Sequence, residues 1–70
     1  MGLAYTPHAR RRMRQRDISE ADVETVMRTP QKSRRDPDGN PIYAARVGGR
    51  AIEVVIAARS HPRRVITVWD

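Results

Sequence analysis

The chain has 70 residues, no cysteine and a formal net charge of +6, which suits one domain and excludes both a disulfide framework and a thiolate zinc site. No apolar run reaches signal-peptide length or the roughly 20 residues that cross a bilayer, so a cytoplasmic protein without membrane contact is expected. Of the 14 basic residues 13 are arginine, and because a guanidinium grips phosphate with two parallel donors, this bias points to nucleic acid as a partner.

A first helix is predicted from Pro7 to about Arg16, with Thr6 as its N-cap and proline in the turn where its missing N–H costs nothing. At about 100° per residue, Ala9 and Met13 mark the core side, and His8, Arg12 and Arg16 form an i, i+4, i+8 ridge beside it. Arg10, Arg11 and Arg14 point outward. After the break at Asp17-Ile18-Ser19, Ser19 and Asp22 form a capping box for a second helix, and Ile18 and Val23 take the two positions of a hydrophobic staple. Val23, Val26 and Met27 supply its core face, and Pro30 ends it at Arg28 or Thr29.

Beyond Pro30 the pattern turns to strands. Gln31 to Asp36 reads as a polar edge strand, Asp36-Pro37-Asp38-Gly39-Asn40 as a turn, and Ile42 to Val47 as a second strand. Gly48-Gly49 makes a tight hairpin into Arg50–Arg59, where Ile52, Val54, Ile56 and Ala58 share one face. Ser60-His61-Pro62-Arg63 turns into Arg64–Trp69, and His61 is taken as a turn residue. The opposite face of the last two strands would carry Val55, Ala57, Arg59, Val65, Thr67 and Trp69, a half-apolar surface suited to a partner, a ligand or a second copy. The expected fold is α+β over residues 1–70, with two N-terminal helices packed on one face of a four-stranded antiparallel β-meander.

The chemistry concentrates at the amino end, where His8 precedes five arginines in the seven positions Arg10 to Arg16. Imidazole can take and give a proton near neutral pH, and guanidinium groups suit a phosphodiester. RNA is favoured over DNA because its 2′-hydroxyl is a built-in nucleophile. A helix-turn-helix DNA reader fits poorly, since the second helix carries Glu20, Asp22 and Glu24.

The run His8-Ala9-Arg10-Arg11-Arg12-Met13, with Arg16, Ile18-Ser19, a Gly48-Gly49-Arg50 hairpin and a closing Val65-Ile66-Thr67-Val68, resembles the family catalogued as domain of unknown function 4258. That family is placed with the RNase-like fold of RelE-type and BrnT-type toxins of bacterial toxin–antitoxin systems, barnase and EndoU-type nucleases. The resemblance implies metal-independent RNA cleavage without a cofactor, on free or ribosome-bound mRNA, and an antitoxin, acidic by charge complementarity. It implicates His8, Arg12, Arg16 and Thr67, together with Tyr43, Arg50 and Arg59. Arg11 would add phosphate affinity. In this scheme His8 deprotonates the 2′-hydroxyl, Arg12 and Arg16 hold the phosphate and stabilise its growing charge, and Thr67 or Tyr43 positions it, leaving a 2′,3′-cyclic phosphate. Asp17 stands where the family more often has a small residue such as glycine. The alternative is a non-catalytic basic module that binds RNA or a protein through the same surface.

Overall fold

The computed structural model describes residues 2–70. In chain order it forms β1 (Ala4–Tyr5), α1 (Pro7–Arg16), α2 (Glu20–Arg28), β2 (Lys32–Arg35), β3 (Pro41–Val47), β4 (Arg50–Ile56) and β5 (Arg64–Trp69). The class is α+β, with both helices over one face of the sheet.

The Thr6 hydroxyl starts α1 by accepting the Ala9 N–H at 3.0 Å, and it donates to the Ile66 carbonyl at 3.0 Å, which ties the helix start to β5. The helix ends in a paired reversal. The Ile18 N–H bonds the Met13 carbonyl and the Asp17 N–H bonds that of Arg14, with Asp17 in the left-handed region at φ 55°. Glycine is the usual residue there, and a short polar side chain is among the few others that tolerate the conformation. At α2 the reciprocal bonds between Ser19 and Asp22, both 3.0 Å, complete the expected capping box.

The sheet has five strands in the order β1-β5-β4-β3-β2. The meander β2–β5 is antiparallel as expected, but β1 adds a strand parallel to β5, pairing Ala4 with Arg64 and Tyr5 with Val65. The sheet is therefore mixed and five-stranded rather than four-stranded and antiparallel. Two residues carry no readable alternation, so only tertiary pairing reveals such a strand.

The faces of β5 also depart from strict alternation. Ile56 pairs with Val65 while Val55 pairs with Thr67, leaving Ile66 as an extra residue in β5. This bulge returns Val65 to the helix-covered core, although strict alternation grouped it with Thr67 and Trp69. β4 also stops at Ile56, so Ala58 and Arg59 lie in the following turn.

The core joins Ala9, Met13 and Ile18 to Val23 and Val26 of α2 and to the inward residues of β3, β4 and β5. On the helix-free face Ile42, Val55 and Thr67 stand in cross-strand register. There Glu53 receives both prongs of Arg34, at 2.9 and 3.2 Å, and the Trp69 indole N–H at 2.9 Å. The Arg34 fork is the main cause holding the Glu53 carboxyl below its ordinary pKa.

Candidate nucleic-acid interface

The two flanks of α1 differ. On the flank toward α2, Arg10 donates to Glu20 at 2.9 Å and lies over the Tyr5 ring with its guanidinium carbon 4.9 Å from the centroid. Arg10 was expected to be solvated, yet it bridges the two helices. Beneath it the buried Tyr5 hydroxyl has no hydrogen-bond partner among the described residues, and burial, with Glu20 and Glu24 nearby, raises its pKa.

The opposite flank carries the ridge of His8, Arg12 and Arg16. α1 packs over β5 and α2 over β3 and β4, so this flank faces the outer side of β5. β1 covers that side only at Arg64 and Val65. The ridge thus follows the strand edge left open by β1. It starts where Thr6 grips Ile66 and ends where Arg16 approaches Asp70 at 3.7 Å. His8 and Arg16 are exposed and Arg12 is half-buried. The ion pairs among the described residues engage Arg10, Arg16, Arg34 and Arg50, and none engages His8, Arg11, Arg12 or Arg14. Thr67 precedes the core residue Val68, so its side chain turns to the helix-free face. It meets the ridge only around the edge of β5.

Arg50 has a different employment from the phosphate contact expected of it. Its Nε and one terminal nitrogen donate to Asp70 Oδ2 at 3.0 and 2.7 Å, and the other terminal nitrogen donates to the Asp17 carbonyl at 2.8 Å. A further bond reaches the Arg16 carbonyl. These carbonyls lie at the α1 C-terminus, where acceptors lack helical partners. The fork therefore closes the helix end and anchors the end of β5. The Asp70 bond raises the Arg50 pKa, and the same bond lowers that of Asp70.

At the opposite end of the sheet, the β2–β3 and β4–β5 turns enclose a cleft of about 800 Å³. Asp36 organises the first turn by accepting the backbone N–H groups of Asp38 and Asn40, and its bonds to Asn40 lead the causes that hold its pKa low. Asn40 in turn accepts the Ala58 N–H at 3.0 Å, linking the two turns. Tyr43 lines the cleft, accepting from Arg63 at 3.2 Å while that guanidinium lies 5.5 Å from the ring centroid. Arg59 reaches it from a left-handed position at φ 59°.

Tyr43 and Arg59 consequently do not join His8. Tyr43 pairs with Val54, which pairs with Val68, so two strand spacings, about 10 Å, separate it from β5 before the ridge begins. Arg63, which the sequence reading did not single out, lines this cleft beside His61, which sits in the β4–β5 turn as expected. A signal existed, because alternate turns of a meander fall at the same sheet end, which places residues 57–63 beside the 36–40 turn and the start of β3.

Together these features define a basic two-layer α+β domain, cationic along one helix flank and in one end cleft. A protein-family model described as "Domain of unknown function (DUF4258)" matches residues 5–70, and the chain belongs to that family. Searches of curated proteins and of solved structures found no match. Among the described residues no helix is long and apolar enough to cross a membrane.

Proposed function

We propose that this protein is a metal-independent endoribonuclease of the toxin type, working along the outer flank of α1. The observation that carries the reading is the pairing of an exposed His8 with Arg12 one helical turn on, both left out of the ion pairs that employ other arginines. His8 removes the 2′-hydroxyl proton, the 2′-oxygen bonds to phosphorus, and the P–O5′ bond breaks as the leaving oxygen takes a proton from water. Arg12 stabilises the negative charge that grows on the non-bridging oxygens, and Arg16 contributes from the next turn. The ridge runs beside the part of β5 that β1 does not pair with. An acidic antitoxin covering the ridge would neutralise it, in keeping with the +6 charge.

The test is cleavage of a short RNA in the presence of a chelator. Wild type should release fragments ending in 2′,3′-cyclic phosphate. His8→Ala should keep its RNA affinity and cut slower by a factor of roughly 10² to 10⁴, the usual contribution of a positioned acid–base group. A wild-type protein that binds RNA and never cuts it, even with ribosomes present, would leave a basic binding module instead.

A further inference from the structure

We infer that the cleft between the β2–β3 and β4–β5 turns holds one nucleotide of a single RNA strand, with its phosphate among Arg59, His61 and Arg63. This rests on RNA being the ligand and adds a subsite away from the α1 ridge. Its volume of about 800 Å³ lies within the range of small-ligand sites. The lining includes three guanidinium groups, Arg35, Arg59 and Arg63, against one carboxylate, Asp38.

The cleft is also prebuilt. The Asn40–Ala58 bond fixes the two turns relative to each other, and Tyr43 holds Arg63 by one donor and by its ring face. Arg63 has four further N–H donors by its chemistry, enough for a two-pronged phosphate contact. Arg59 and His61, both exposed, flank it on the same turn. Pro41 and Ile56 add apolar lining, against which a base can lose water-exposed area. Phosphate donors beside an apolar wall and an aromatic ring match the chemistry of a nucleotide better than that of a bare anion.

The test measures binding of a fluorescent oligouridylate made of 2′-O-methyl nucleotides, which cannot be cut. The variants are Arg59→Asn and Arg59→Asn with Arg63→Gln. Asparagine tolerates the left-handed backbone of Arg59, so the first variant should fold as wild type, and thermal unfolding checks this. Arg59→Asn should weaken binding roughly tenfold, as for one charge-assisted hydrogen bond. It should also lower the slope of log affinity against log salt by about 0.7. The double variant should lose more. Unchanged binding by both cleft variants would overturn the subsite and leave the cleavage reading to its own assay. Weakened binding by them, in a protein that never cuts RNA, would establish the subsite and end the cleavage reading.

Discussion

Arg12 and Arg50 are the same side chain placed by the fold in opposite surroundings. At the hairpin end, Arg50 meets Asp70 and the last carbonyls of α1, and its fork is consumed in closing the structure. On the outer flank of α1, Arg12 has no carboxylate in an ion pair with it among the described residues. Charge in the sequence does not separate the two, but the supply of acceptors does. Arg50 spends its fork inside the fold, whereas Arg12 keeps donors that can meet phosphate.

The sharpest way to break this contrast is to remove each guanidinium in turn. Arg12→Gln should lower RNA cleavage about 100-fold, as for loss of one donor to a developing oxyanion, with little change in thermal unfolding. Arg50→Gln should do the reverse, lowering the unfolding temperature while the folded protein keeps its rate, as circular dichroism and cleavage assays on one preparation would show. Equal kinetic losses in both variants would erase the distinction.

Glu53 sharpens the structural side of the contrast. Its carboxyl is held below its ordinary value chiefly by Arg34. Its contribution is therefore complete above the unfolded value near 4.5 and disappears as pH falls through the lower folded value. Glu53→Gln should melt below wild type at neutral pH, and the gap should narrow in acid below 4.5. The smallest effect is expected at Arg11, exposed and outside the ion pairs. Arg11→Gln should reduce the salt slope of RNA binding by about 0.7 and leave the cutting rate of bound RNA unchanged.

Local signals made much of the fold legible. The Thr6 cap, the Ser19–Asp22 box, the Gly48-Gly49 hairpin and both helix faces follow from short-range chemistry, and all appear in the structure. The β1 pairing and the Ile66 bulge were not legible, because each depends on a partner distant in sequence. The same divide runs through the candidate site. His8, Arg12 and Arg16 share a helix, so their common ridge could be read from spacing alone. Tyr43, Arg50 and Arg59 were grouped with them by the family resemblance, and topology sends Arg50 to the hairpin end and the other two to the cleft.

The most direct measurement is side-chain NMR of the arginine Nε–H and histidine ring signals during titration with an uncleavable 2′-O-methyl RNA. The Arg12 and His8 signals should move together as RNA binds, while those of Arg50 stay in place. Movement at Arg50 with His8 and Arg12 silent would contradict the proposed interface.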